Sequence, residues 1–197
     1  FELALIVRDG IRRMVERGDD VFYYITVHNQ PQPMPAQPPD PAAADGARGT
    51  VEAGVLAGLY RFEAEPQAPA DAERVHLFGS GAIMQEVLDA RDRLRALGLP
   101  VDVWSVTSHA ALARDLRRHE RETLLGEASE RPWVECQLDG TAGVYVIASD
   151  HVCAHAEPLG RAVPGPSVVL GTDGFGLSES RRDLRDHFEV SGAWIAW

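Results

Sequence analysis

Cysteine is scarce in this sequence: Cys136 and Cys153 are the only two among 197 residues. Neither sits in a C-x-x-C pair, and no zinc-ligand spacing surrounds either one. That sets aside a disulfide scaffold and a zinc module, and a reduced, cytoplasmic setting is the expectation. Positive charge is scarce as well. Lys and Arg number 19 against 30 Asp and Glu, a net charge of -11 at pH 7. DNA and anionic membranes call for a basic surface, so nucleic acid and membrane are excluded as main partners. No apolar run reaches the roughly 20 residues that a membrane-spanning helix needs. The motifs G-K-[ST], G-x-S-x-G and H-E-x-x-H are missing too. With them go a phosphate-loop lysine, a hydrolase serine and a zinc-protease helix.

What is present is a globular mixture, 45% hydrophobic and 25% charged. Its length suits one good core, or a domain joined to part of another. "FELALIVRDGIRRM" begins at once in helical periodicity with no cap ahead of it. Leu3, Ile6, Val7, Ile11 and Met14 share one stripe, and Gly18 is a stop signal. "AWIAW" breaks off just as an apolar segment begins. Both ends predict a piece of a longer chain. "VFYYITV", residues 21–27, is β-branched and aromatic without polar alternation, which predicts a strand covered on both faces.

Residues 30–49, "QPQPMPAQPPDPAAADGARG", carry six of the chain's 13 prolines. Such a stretch holds no regular element and reads as an extended linker. A ligand for a proline-recognising domain is the other reading, disfavoured because the stretch joins two structured parts. "VEAGVLAGL" follows as a short helix. "LYRFEAE" then alternates, Tyr60 and Phe62 opposite Arg61 and Glu63, which predicts a half-wet strand at a sheet edge.

From residue 75 one pattern occurs four times: a short apolar strand, small polar residues, then a helix. The units are "VHLF" with "GSG", "VDVWSV" with "TS", "VYVIA" with "SD" and "SVVL" with "GTDGFG". After Ser80, Ile83, Val87, Ala90, Leu94 and Leu97 share a helix face that stops at Gly98. After Thr107, Leu112 and Leu116 are the buried positions, while Arg114, Asp115, Arg117 and Arg118 face solvent. Strands alternating with helices predict an α/β fold with a mostly parallel, doubly wound sheet. Right-handed crossovers then bring Gly79, Thr107, Ser149 and Gly171 to its carboxyl edge.

Several motifs dissolve on inspection. "GSGAIM" fails as a dinucleotide fingerprint, because Met84 holds the third glycine position and the next strand ends in Val106 and Thr107 with no acid for a ribose. Gly79 and Gly81 read as a tight turn. His151 and His155 stand four apart on an expected helix, a spacing that can bind metal, but solvated or half-buried histidines are the commoner outcome. "RRHERE", residues 117–122, reads as a solvated helix face. Cys136 and Cys153 have no evident activating partner.

The most informative stretch is "GTDGFGLSESRRDLRDHF", residues 171–188. Gly171, Gly174 and Gly176 permit a sharp turn from strand to helix. Ser178 or Ser180 can cap that helix, and Ser180 with Asp183 has capping-box spacing. Leu184 and Phe188 supply its buried face. A turn, a cap and a packed helix account for the stretch. The functional alternative is an anion or entrance site at Ser178, Ser180 and Arg181 or Arg182.

"FYYITVHNQPQPMP", "VHLFGSGAIMQEV", "DVWSVTSHAALARD" and "LGTDGFGLSESRRDLRDHFEV" occur in this order. Together they resemble the carboxy-terminal third of the homodimeric, thiamine-dependent pyruvate dehydrogenase component, a transketolase-like family. "DVWSVTS" and "LGTDGFG" are the most specific pieces. The resemblance implies that residues 1–30 end a middle, pyrimidine-binding domain, that 31–50 connect, and that 51–197 form most of a transketolase-like carboxy-terminal domain. For the intact enzyme it implies thiamine diphosphate and magnesium, a homodimer, and transfer of an acetyl unit to a lipoyl-bearing acyltransferase partner. It carries no catalytic, cofactor-binding or metal residue onto this sequence, since the family's motifs for these lie upstream of Phe1. The sequence departs from the family at His28 and Gln30 and across "TLLGEASERPWVECQLDG", which leaves another 2-oxo acid open as substrate. A transketolase-type enzyme and a non-catalytic α/β assembly module are the rival readings.

Overall fold

Four of the short apolar runs, rich in β-branched and aromatic residues, pair as parallel strands. In the computed structural model, which describes residues 1–29, 31–40, 49–65, 74–127 and 130–197, β2 (Arg74–Gly79) lies at the centre. It is flanked by β3 (Val101–Val106) and β4 (Gly143–Ala148), with β5 (Ser167–Leu170) beyond β4. All four run parallel. β1 (Leu59–Glu63) closes the other edge antiparallel to β3, with a register shift between Arg61 and Glu63. The sheet order is β1-β3-β2-β4-β5, so the expected mostly parallel α/β sheet with an edge strand at "LYRFE" is what forms.

The period of two along the strands divides the core into two layers. Phe78, Trp104, Tyr145 and Ile147 face one side and pack beneath α4 (His109–Leu125), α5 (Trp133–Gln137) and α6 (Cys153–Ala162). Their neighbours Leu77, Val101 and Val103 face the other side, under α3 (Met84–Ala96) and the terminal α8 (Gly192–Ile195). Helices thus cover both faces, which is why the strands read as unbroken apolar runs. α7 (Arg181–His187) follows β5. Among the described residues, no helix is long and apolar enough to cross a membrane.

The amino-terminal part is α1 (Glu2–Ile11), continued by a π-helical turn at Arg12–Glu16. It packs on α2 (Val51–Ala57): Phe1, Leu5 and Ile6 meet Val51, Val55 and Tyr60. Glu2 Oε1 accepts hydrogen bonds from Tyr60 Oη at 2.7 Å and from Ser105 Oγ at 2.6 Å. The linker residues 31–40 carry no regular element, as the prolines dictate. Asp40 Oδ1 and Thr50 Oγ1 accept the amides of Val51 and Ala53 at the start of α2. Gln30 and the rest of the proline-rich stretch at 41–48 lie outside the described residues, as do 128–129 in the divergent segment.

Some local expectations are corrected. Residues 21–27 form no strand. A strand exists through hydrogen-bonded neighbours, and none among the described residues pairs with this segment. Phe22 and Tyr24 are left 86% and 87% exposed. The stripe on α1 is only partly used: Ile6 packs, but Leu3, Val7, Ile11 and Met14 remain exposed. Leu97 is exposed beyond the end of α3 rather than on its buried face, because the helix tightens into its C-cap one residue early. Leu116 is only partly buried. Asp115 is not a free surface acid: its Oδ2 accepts the Trp133 amide at 2.6 Å and so caps the neighbouring α5.

Candidate functional site

The parallel register sets Gly79 beside Ser105 and Ala148, and Ala148 beside Leu170. The turns that follow these strands therefore emerge together at the carboxyl edge, where doubly wound sheets present their sites. Ser80 and Ser149, from two of those turns, join through a buried hydrogen bond, Ser80 Oγ donating to Ser149 Oγ at 3.3 Å. Ser149 Oγ also accepts the amide of His151 at 3.2 Å.

Above this edge lies a cleft of about 500 Å³. Ile83, Leu184, Phe188 and Val190 form its apolar wall, and Asp150, Thr172, Arg181 and Arg185 its polar one. The loop Gly174–Leu177 and His28 complete the rim. His28 Nε2 stands 3.2 Å from Asp150 Oδ2, and Arg181 Nη2 donates to Asn29 Oδ1 at 3.2 Å. The amino-terminal segment is thereby tied to the cleft at two points. Arg185 turns away into a half-buried ion pair with Glu86 at 2.6 Å, and the other Glu86 oxygen accepts the Gly192 amide at 2.8 Å. Arg181 is thus the cation nearer the mouth.

The loop after β5 is held to the turn after β4. Thr172 Oγ1 donates to the Asp150 carbonyl and the Thr172 amide to the His151 carbonyl, both at 2.9 Å. Asp173 Oδ1 accepts the first amide of α6, that of Cys153, at 2.9 Å. Gly171 sits where these backbones meet: a Cβ there would lie 2.6 Å from the His151 carbonyl oxygen. Gly174 has a φ of +99°, which L side chains rarely adopt. Gly176 has neither property, and nothing in the structure requires glycine there.

Ser180 is the N-cap of α7: its Oγ accepts the Asp183 amide at 3.2 Å and donates to Asp183 Oδ2 at 2.5 Å. Ser178 is exposed in the loop ahead of it. His151 does not share a helix with His155, as the four-residue spacing had implied. It lies in the turn before α6, while His155 is in the helix, and their ring centroids are 5.2 Å apart. Burial, with Asp173 close by, pushes the Cys153 thiol up to about 11, so it stays protonated at neutral pH. His28, Asn29, Asp150 and Thr172 were missed as cleft residues. Only the "SD" and "GTD" turns hinted at two of them, since the contacts bridge distant parts of the chain.

These features define a mainly parallel α/β domain with a mixed polar and apolar cleft at the carboxyl edge of its sheet. Residues 58–191 match the Transketolase-like TK C-terminal domain, and the chain belongs to that family. Over 99% of its length it is 40% identical to the pyruvate dehydrogenase E1 component of Pseudomonas aeruginosa and 37% identical to that of Cupriavidus necator. It spans 21% of the length of each. A transketolase from Leishmania mexicana aligns with 76% of this chain and 18% of its own, at 18% identity and a TM-score of 0.49.

A thiamine diphosphate with its magnesium needs a cluster of oxygen donors for the ion and free cations or amides for the phosphates. Among the described residues, no group of three or more His, Cys, Asp or Glu is placed to hold a metal ion. At the cleft, Asp150 faces His28 and Arg185 is engaged with Glu86. The described residues at this cleft do not fit that group.

Proposed function

We propose that this chain is the carboxy-terminal region of a thiamine diphosphate-dependent 2-oxo acid dehydrogenase component, with pyruvate as substrate and a lipoyl-bearing acyltransferase as acceptor partner. Residues 1–30 then end the pyrimidine-binding domain, 31–50 connect, and 51–197 form the carboxy-terminal domain. In that enzyme the region acts as scaffold, as part of a homodimer surface, and as one wall of the active-site entrance in the cytoplasm. The observation that carries this reading is the 40% identity, sustained over 99% of the chain, to a protein named pyruvate dehydrogenase E1 component.

The chemistry belongs to parts of the enzyme outside these residues. What this chain supplies is shape and charge at a mouth: a short apolar wall, and Arg181 near the rim at the start of the helix that Ser180 caps. A carboxylate-bearing 2-oxo acid, or an acidic face around a lipoyl arm, meets a cation there.

The test uses the full-length parent protein with thiamine diphosphate and magnesium. Carbon dioxide release from pyruvate, coupled to reductive acetylation of a lipoyl domain, is the expected activity. Ketol transfer between sugar phosphates without lipoyl acetylation would instead establish a transketolase. The 197-residue chain alone is expected to show neither activity. It should also bind the cofactor more weakly than micromolar by calorimetry, a limit of about -8 kcal/mol.

A further inference from the structure

His109 opens α4 and is buried, only 6% exposed, yet neither of its ring nitrogens has a hydrogen-bond partner in the structure. A buried polar group left in this state needs a physical account. Its surroundings provide one. The His109 ring packs edge-on against His155 in the first turn of α6, with 5.2 Å between centroids. His155 in turn lies 5.2 Å from His151 in the turn ahead of that helix. Three imidazoles therefore line the contact between α4 and α6, with His155 and His151 reaching the surface.

This packing suits neutral rings and opposes charged ones. The charged groups acting on His109 are His155 and His151, and the one acting on His155 is His151; no carboxylate is among them. Asp150 is the near acid: one oxygen lies 3.9 Å from His151 and the other 3.2 Å from His28. Glu157, further along α6, is engaged with Arg161 at 2.9 Å. Asp173 is turned to the Cys153 amide. Burial first, and then the two neighbouring rings, hold His109 down at about 4; burial and then His151 lower His155.

The joint is mechanically connected to the cleft. The His151 carbonyl accepts the Thr172 amide, the Asp150 carbonyl accepts the Thr172 hydroxyl, and Asp173 accepts the Cys153 amide. Displacing the start of α6 away from α4 strains all three bonds.

We propose that His109, His151 and His155 form an acid-sensitive joint between α4 and α6. It is closed while His109 and His155 are neutral and opens as they take up protons, so that the 149–153 turn and the 171–173 side of the cleft loosen together. This goes beyond the reading of the chain as part of a dehydrogenase and does not depend on it.

The experiment follows the imidazole protons and the amides of Thr172 and Cys153 by NMR in the intact chain, between about pH 7.5 and about pH 5. His109 and His155 should titrate below ordinary histidine. Amide protection at Thr172 and Cys153, corrected for the intrinsic exchange rate, should fall on acidification, approaching tenfold per pH unit, roughly, for each proton gained on opening. His109→Phe keeps the ring's shape and should flatten that dependence. Should it fail to fold, His155→Phe at the surface should weaken the acid response by itself. Protection that does not change with pH, or that falls equally in wild type and in every folded variant, would overturn the proposal.

Discussion

The hydroxyl of Ser80 donates to that of Ser149 across 3.3 Å of buried space, although 69 residues separate them in sequence. The bond fastens the turn after β2 to the turn after β4 directly below the cleft. Ser149 Oγ also holds the His151 amide. Ser149→Ala removes both interactions and leaves polar atoms without partners. A loss of about 1–2 kcal/mol is expected, read as a lower urea midpoint at unchanged slope. An unchanged midpoint would show that this pair does not brace the sheet edge.

The three glycines of the 171–176 loop should separate in one mutational series. Gly171→Ala drives a Cβ to 2.6 Å from a carbonyl oxygen and 2.8 Å from an amide nitrogen, both backbone atoms. Its cost should be the largest, about 2 kcal/mol or more. Gly174→Val meets open space but a φ of +99°, and should cost about 1–2 kcal/mol. Gly176→Ala should stay within about 0.5 kcal/mol of the parent. Thermal or urea unfolding of the three variants checks the order, and a Gly176→Ala loss equal to that of Gly171→Ala would contradict it.

Acid should weaken the fold through His109. Its folded value of about 4 lies below the ordinary 6.5, so the unfolded chain binds the proton more tightly. The stabilisation is complete above about pH 6.5 and is lost as pH falls toward about 4. The difference amounts to about 3 kcal/mol between those limits. Urea midpoints recorded across this window should decline more steeply in the parent than in His109→Phe. Parallel curves would remove His109 as the cause.

Two neighbouring residues at the start of α7 should part company. Ser180→Ala loses the cap on the Asp183 amide and should cost about 1 kcal/mol of stability. Arg181→Ala loses an exposed bond to Asn29 and should leave the fold within about 0.5 kcal/mol. In the full-length enzyme, Arg181→Ala should instead raise the KM for an anionic substrate or weaken the lipoyl-domain complex. Unchanged KM and partner affinity would reduce this end of the helix to a turn and a cap.

The chain by itself should self-associate. Phe22, Tyr24 and Val27 lie open to solvent, and so do Leu3, Val7 and Ile11 of α1. Apolar groups left uncovered in such numbers tend to find a cover. Light scattering should show a mass that rises with concentration, and Phe22→Glu with Tyr24→Glu should lower it. A monomer at every concentration would refute this.

Strand–turn–helix units, the edge strand and the Ser180 cap were legible because each is written in local order. A β-branched run, a small polar turn and a 3.6-residue stripe specify their element from neighbouring residues alone. The segment at 21–27 was misread for a complementary reason. "VFYYITV" has the composition of a strand, but strand formation depends on a partner that composition does not contain. His151 was likewise assigned to a helix on spacing, whereas α6 starts two residues later, where Asp173 from the next loop meets the Cys153 amide.

The order of apolar and polar residues, then, determined the α/β class, the two-layered core and the edge to which the turns would come. Tertiary structure alone decided which side chains meet there. His28 with Asp150, Asn29 with Arg181, Glu86 with Arg185, and His109 with His155 are pairs from separate elements. Local propensity acts over a few residues along the chain. Such contacts arise only when crossovers and the proline-rich connection bring distant segments within hydrogen-bonding range, and no short-range pattern records that encounter.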